Sequence, residues 1–182
     1  MVAEENERPV VRIASILAND VADSDSGIAV SVWFQGCPIH CKGCHNQELW
    51  PMEGGEVWDV AKLAEHVSEL LQANGVKRNL SILGGEPFAQ PAALAYLLFL
   101  VKQYCPWVKV YCWTGHLYEE LVATNDLSVH SALECIDVLV DGPYVQAARQ
   151  LDLPLRGSSN QRILHLEKGQ RLIKSLDRQN YD

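Results

Sequence analysis

Residues 36–46 read GCPIHCKGCHN, which places Cys37, Cys41 and Cys44 within eight positions in the pattern Cys-x3-Cys-x2-Cys. Thiolates this close together are the natural donors for zinc or an iron–sulfur cluster. Their number is informative. A structural zinc site closes with four ligands and an electron-transfer [4Fe–4S] cluster takes four thiolates, so three sulfurs leave one metal position open. Two readings stand at this point. In one, His40 or His45 completes a zinc knuckle, although such sites draw on two short ligand pairs and His116, His130 and His165 each stand alone. In the other, a [4Fe–4S] cluster is held through three irons, and the fourth is left for the amine and carboxylate of a small molecule. Gly36 and Gly43 then let the loop backbone approach the cluster and hydrogen-bond its sulfurs.

A second stretch, Gly84-Gly85-Glu86-Pro87, follows the apolar run LSIL. Taken alone it is a turn between a strand and a helix. Beside an open iron it does more, because Gly84 and Gly85 expose backbone groups and Glu86 adds an acceptor for a bound amine. Cys105, Cys112 and Cys135 are scattered among apolar residues and read as small buried hydrophobes.

These residues need elements to hold them. Alternation over 10–17 and the β-branched and aromatic run 27–36 predict strands, separated by the polar loop NDVADSDSG. From Glu56, apolar positions Val57, Val60, Ala61, Ala64, Val67 and Leu71 follow helical spacing until Asn74-Gly75 stops it. A strand over 78–83 enters the Gly-Gly turn, and Pro91 opens an apolar helix that must end before Pro106. Further strands are expected at 107–113, 135–143 and 162–166, with short helical pieces at 117–123 and 127–134. This alternation predicts an α/β fold with a mainly parallel sheet of about five to six strands. About five βα units are too few to close an eight-unit barrel, so the expected architecture is an incomplete, splayed β/α barrel, with a flavodoxin-like open sheet as the alternative. Either fold gathers ligands at the carboxyl ends of its strands, where both motifs fall.

At 182 residues the chain is sized for one domain, read as an arm over 1–9, a core over 10–166 and a tail over 167–182. Hydrophobic residues at 48% and charged residues at 21% are ordinary globular usage. A net charge of −8 without a basic stripe argues against nucleic acid as a ligand. The acidic first nine residues do not read as a targeting signal, and the longest apolar run, PAALAYLLFLV, is shorter than the roughly 20 residues that span a bilayer. A cytoplasmic protein is expected.

Together, the three cysteines and the Gly-Gly-Glu-Pro stretch one βα unit later resemble the radical S-adenosylmethionine enzymes. The likeness extends, through WFQGCPIHCKGCHNQELW, LGGEPF, TGHLYEEL, DVLVDGPY and LRGSSNQR, to the small single-cluster activators of anaerobic ribonucleotide reductase. The resemblance implies that Cys37, Cys41 and Cys44 ligate a [4Fe–4S] cluster, and that Gly43, Gly84, Gly85, Glu86 and Pro87 contribute to cofactor binding. It also implies reductive cleavage of S-adenosylmethionine and hydrogen-atom abstraction from a polypeptide. The implied enzyme is an oxidoreductase with no acid–base dyad, since the cofactor carries the difficult chemistry. Its implied substrate is the glycine of an anaerobic ribonucleotide reductase, and its implied electron donor a flavodoxin or ferredoxin. Trp113 and Thr114 either line an adenosine pocket or pack, and Asp141 to Tyr144 and Ser158 to Arg162 fall where later loops reach the mouth. One position departs from the activators, which place an arginine two residues after the glycine that opens the cysteine strand: here Gly27 is followed by Ile28 and Ala29. Alternatives are a maturase that modifies a ribosomally made peptide, excising part of a tyrosine with the help of a separate precursor-recognition partner, a radical enzyme acting on a pterin, and a zinc-binding interaction module.

Overall fold

A computed structural model describes residues 9–167 and 173–175. Among the described residues, eight strands form one open sheet in the order β3-β1-β2-β4-β5-β6-β7-β8. Its centre is parallel: β2 (Ala29–Phe34), β4 (Asn79–Gly84), β5 (Val110–Trp113) and β6 (Val138–Asp141) lie side by side in one direction. The expected splayed α/β core is therefore present, and the sheet is wider than expected because antiparallel strands extend it on both sides. β1 (Val10–Asp20) and β3 (Glu56–Asp59) flank one edge, and β7 (Arg162–Leu166) and β8 (Ile173–Ser175) the other. β8 falls within the stretch read as a tail. The 1–9 arm, apart from Pro9, lies outside the described residues, as does the rest of the tail beyond Glu167.

Helix α1 (Val60–Leu71) starts four residues later than its periodicity predicts. Val57 and Val60 share helical spacing, but Glu56–Asp59 pairs with Val10–Ile13 instead and leaves Val57 half exposed. Asp59 then caps the helix by accepting from the Lys62 amide at 3.1 Å. The expected stop is found where Asn74 and Gly75 turn left-handed, at φ of 57° and 72°. Helix α2 (Pro91–Tyr104) opens on its proline and ends at Cys105, and α3 (Tyr118–Ala123) and α4 (Leu127–Leu133) follow. α2 packs against both α1 and α4.

Side chains alternate across each central strand. Val30, Val32, Phe34, Leu80, Ile82, Val110, Cys112 and Leu139 join the helices in one hydrophobic core. The intervening Ser31, Ser81 and Tyr111 belong to the other face, where the loop after β1 covers the amino-terminal half of the strands. Ser31 donates to Asp20 at 2.6 Å, Ser81 to the Asp23 carbonyl, and Tyr111 to Asp25, which also holds Lys109 at 2.9 Å. The carboxyl-terminal half of that face stays open for a site.

Two carboxyl groups meet here, Asp20 at the end of β1 and Asp23 in the loop that follows. Burial, then the hydrogen bond to Asp20 and its charge, push Asp23 up to about 7. Asp20 is itself partly lifted by burial, but the hydrogen bonds from Ser31, Asp23 and nearby amides bring it below its ordinary value. The folded state keeps the Asp23 proton over an interval in which the unfolded chain has released it, so this group's stabilisation is complete below about pH 4 and is lost as pH rises to about 7. Asp23→Asn should flatten the fall in stability between pH 4 and 7, measured as urea midpoints at several pH values. An unchanged slope would show that the fold does not hold Asp23 protonated.

Candidate functional site

Strands β2, β4, β5 and β6 all end on one side of the sheet, and a cavity of about 220 Å³ lies there. Cys37, Cys41 and Cys44 line it together with Gly84, Gly85 and Glu86. The two motifs singled out in the sequence thus meet in one place, at the carboxyl ends of parallel strands where α/β folds bind ligands. Trp33, Leu83 and Trp113, the outward residues of their strands, give the cavity an apolar wall, and exposed His45 and Gly157 lie at its edge.

The cysteine loop is pinned at both ends. The Gly36 amide donates to the Leu49 carbonyl at 2.9 Å and the Cys37 amide to Trp50 at 3.1 Å, while the Cys44 amide closes a turn onto Cys41. The Asn46 amide donates to the Cys44 sulfur at 3.4 Å. His40 sits left-handed at φ 51° and stacks on Trp50, ring centroids 4.6 Å apart. Gly43 is left-handed as well, at φ 78°, which favours glycine, and it lies against the end of the Gln146 side chain from the segment after β6. Burial pushes the Cys37 and Cys41 thiols up, partly countered at Cys37 by the amides of Ile39 and His40 and at Cys41 by that of Tyr144. Loading a metal group on them therefore releases protons and is favoured by rising pH. Among the described residues no three His, Cys, Asp or Glu side chains converge on a point that would hold a single ion.

Gly84 and Gly85 are there because the chain has no room for more. Gly84 has φ 116°, and at both positions a Cβ would stand under 3.0 Å from the backbone of Trp33, Phe34 or Gly36. The Gly85 amide donates to Phe34 and the Glu86 amide to Gly36, each at 2.8 Å. This locks the second motif onto the residue before Cys37.

Glu86 is fully buried, and its carboxylate accepts from the Phe88 amide at 2.9 Å, the Thr114 hydroxyl at 2.9 Å and the Gly115 amide at 2.8 Å. Burial raises it against the opposing pull of the Gly115 and Phe88 amides. Three of about four lone-pair directions are spent inside the protein, so Glu86 acts mainly as a strut joining the ends of β4 and β5. Pro87 is buried at the start of a 3₁₀ turn over Pro87–Ala89 and aims that junction. Thr114 and Trp113 both line the cavity, as do Gly142, Tyr144, Gly157 and Gln161, whereas Asp141 and Arg162 form an ion pair. Trp50 and Ile39 line it too, and neither stood out in the sequence beyond lying near the cysteines. Cys105 and Cys112 are fully buried; Cys135 is only partly so, packed at the edge of the core. No helix among the described residues is long and apolar enough to cross a membrane.

Comparison with known proteins agrees with this geometry. Residues 25–164 match the family model for the 4Fe-4S single cluster domain. The chain is 36% identical over 142 residues to an anaerobic ribonucleoside-triphosphate reductase-activating protein of Vibrio cholerae, covering 76% of this chain and 88% of the relative. It is 31% identical over 143 residues to the protein of the same name from Escherichia coli K12, covering 77% and 90%. A pyruvate formate-lyase-activating enzyme of Clostridium pasteurianum is 32% identical over 96 residues, covering 50% of this chain and 39% of that enzyme. The chain belongs to the 4Fe-4S single cluster domain family, in the radical S-adenosylmethionine group that includes the anaerobic ribonucleoside-triphosphate reductase-activating proteins.

Proposed function

We propose that this chain generates the glycyl radical of an anaerobic ribonucleotide reductase, with Cys37, Cys41 and Cys44 holding a [4Fe–4S] cluster and the edge Gly84-Gly85-Glu86-Pro87 receiving the methionyl end of S-adenosylmethionine. The observation that carries this reading is the cavity itself, lined by three thiols and that glycine edge and by no fourth cysteine. The donor set suits a cubane, which spreads its thiolates over separate irons, better than a single zinc ion, whose ligands converge on one point. Relatives named as activators of one glycyl-radical reductase support the partner, while the peptide-maturase alternative finds no support in them. The group, when bound, supplies one-electron reductive cleavage of a carbon–sulfur bond.

The chain's own residues do the positioning. Trp33, Leu83 and Trp113 exclude water from one wall. Glu86 keeps Thr114 and Gly115 at a fixed height against the Gly-Gly edge. His45 and Tyr144, whose rings lie 6.0 Å apart, flank the route by which a polypeptide loop brings its C–H to the site. A flavodoxin or ferredoxin is the proposed electron donor, and a cytoplasmic single-domain protein the proposed setting. Ala29, fully buried on β2, occupies the position where the activators place an arginine.

Anaerobic purification, reconstitution with iron and sulfide, and addition of dithionite and S-adenosylmethionine should yield 5′-deoxyadenosine from wild type and background from Cys41→Ala. With an anaerobic ribonucleotide reductase present, a glycyl-radical doublet should appear in the electron paramagnetic resonance spectrum. A colourless, zinc-loaded protein would sink the enzymatic reading. A radical formed on pyruvate formate-lyase and not on the reductase would sink the choice of partner alone.

A further inference from the structure

The segment between β6 and β7 folds into a hairpin over 149–158 that neither motif explains. Its base is closed by the Gln150 amide donating to the Gly157 carbonyl at 3.2 Å and the Ser159 amide to the Ala148 carbonyl at 2.8 Å. Gln161 braces the same base, since its side-chain oxygen accepts from the Gly157 amide at 3.0 Å and the Ser158 amide at 3.2 Å. The tip is fastened too. Leu155 sits left-handed at φ 58°, a conformation unfavourable for a residue with a side chain, and its carbonyl accepts from the Trp113 indole at 2.8 Å. Trp113, Gly157 and Gln161 all line the cavity, so the hairpin stands at its mouth.

A loop braced at base and tip nevertheless holds Leu151 82% exposed, more than any other large apolar side chain among the described residues. Leu151 directly follows Gln150, the residue bonded to Gly157. Val145, also exposed, donates its amide to the Ser158 hydroxyl at 3.2 Å and follows Tyr144, which lines the cavity. On the β5 side, the end of exposed Leu117 lies against Gly142, another lining residue. From Gly142 to Leu151 the chain carries a single charge, on Arg149. One exposed apolar residue needs no explanation, but three beside one mouth, the most exposed of them on a braced loop, suit an apolar surface brought by whatever enters there.

We infer that Leu151, with Val145 and Leu117 beside the same mouth, forms the docking rim for the polypeptide substrate, and that Leu151 seats in an apolar recess of the reductase next to the segment carrying the target glycine. This rests on the activator reading given above. That reading sends a polypeptide segment through the mouth, so the rim is continuous with the surface that the segment's parent protein has to cover. Bracing the hairpin in advance lowers the cost of ordering it on association.

The test uses the full chain, reconstituted with iron and sulfide, and an anaerobic ribonucleotide reductase as the probe. The reductase concentration at half-saturation is read from initial rates of the glycyl-radical doublet, and 5′-deoxyadenosine is measured in parallel without reductase. Burial of a leucine contributes enough that Leu151→Ser should raise that concentration roughly 10- to 100-fold. The rate at saturation and the reductase-free product should stay at wild-type values, and Leu151→Met should stay close to wild type throughout. Leu127→Ser, which changes a 79% exposed leucine at the start of α4, should shift nothing. Unchanged half-saturation in Leu151→Ser overturns the inference, and so does an equal shift in Leu127→Ser. A fall in reductase-free product from Leu151→Ser overturns it as well, by assigning the residue to cofactor binding instead of docking. Wild type that forms 5′-deoxyadenosine but no radical on the reductase removes the partner reading and this inference with it, a failure visible before any variant is compared.

Discussion

Gly85→Ala is expected to abolish cluster incorporation and 5′-deoxyadenosine formation while leaving a folded protein of reduced stability. The added Cβ would meet the Gly36 carbonyl carbon at 2.7 Å and the Leu49 carbonyl oxygen at 3.0 Å, with the Gly36 oxygen nearer still. All three are backbone atoms, so no rotamer change relieves the clash. The only escape is to push the end of β4 away from the end of β2, breaking the bonds from Gly85 to Phe34 and from Glu86 to Gly36. Overpacking of this kind costs typically 1–3 kcal/mol. Its functional cost is larger, because Cys37 follows Gly36 directly and a displacement of about 1 Å in a positioned group already lowers rates by roughly 10²-fold. Gly75→Ala is the control. A Cβ there meets nothing within 4 Å, and its left-handed φ of 72° limits the penalty to roughly 1–2 kcal/mol. Iron and sulfide content after reconstitution, with thermal melts of both variants, decides the matter: Gly85→Ala loading iron like wild type would show that the abutment of the two motifs does not set the cysteine loop.

The same pair of motifs explains how much of the molecule was legible in its sequence. Cys37, Cys41 and Cys44 stand out because their spacing is local, and Gly84-Gly85 because a strand leads into it. The βα order then places both at one end of a sheet without any knowledge of contacts. What could not be read depends on partners distant in the chain. Glu86 looks like a free acceptor until Thr114 and Gly115, nearly thirty residues later, occupy its oxygens. Trp50 looks like an ordinary aromatic until it stacks on His40. The strand over Glu56–Asp59 was hidden because Val57 and Val60 mimic one helical face, and only pairing with β1 overrides that spacing. Of the antiparallel flanks, β1 and β7 were legible as strands though their direction was not, and Ile173–Ser175 was hidden because it carries too few residues to show a period.

Asp141→Ala should be the most destabilising substitution away from the glycine edge. Asp141 ends β6 with no exposed surface, and its carboxylate accepts from the Tyr118 amide at 2.8 Å and from Arg162 at 2.9 Å through Nε and again through Nη2. One side chain therefore ties the first residue of α3 and the first of β7 to the end of β6. Arg162 reaches Glu119 as well, at 2.6 Å and 3.0 Å. The two carboxylates are not equivalent. Asp141, then Glu119, hold the guanidinium proton more tightly than usual, yet Glu119 lies largely in solvent, where an ion pair contributes about 0–1 kcal/mol. Removing Asp141 instead leaves the part-buried Tyr118 amide without its acceptor and the guanidinium with Glu119 alone; breaking a buried pair costs roughly 3–5 kcal/mol, and the 36% exposure of the Arg162 side chain favours the lower figure. Asp141→Asn keeps one acceptor and should fall between Ala and wild type. The loss extends to function because Gly142, which follows, lines the cavity and donates to His116 at 2.9 Å. Urea unfolding of Asp141→Ala, Asp141→Asn and Glu119→Ala should rank them in that order. Equal losses from Asp141→Ala and Glu119→Ala would mean that the surface pair, and not the buried carboxylate, joins this edge of the sheet to the site.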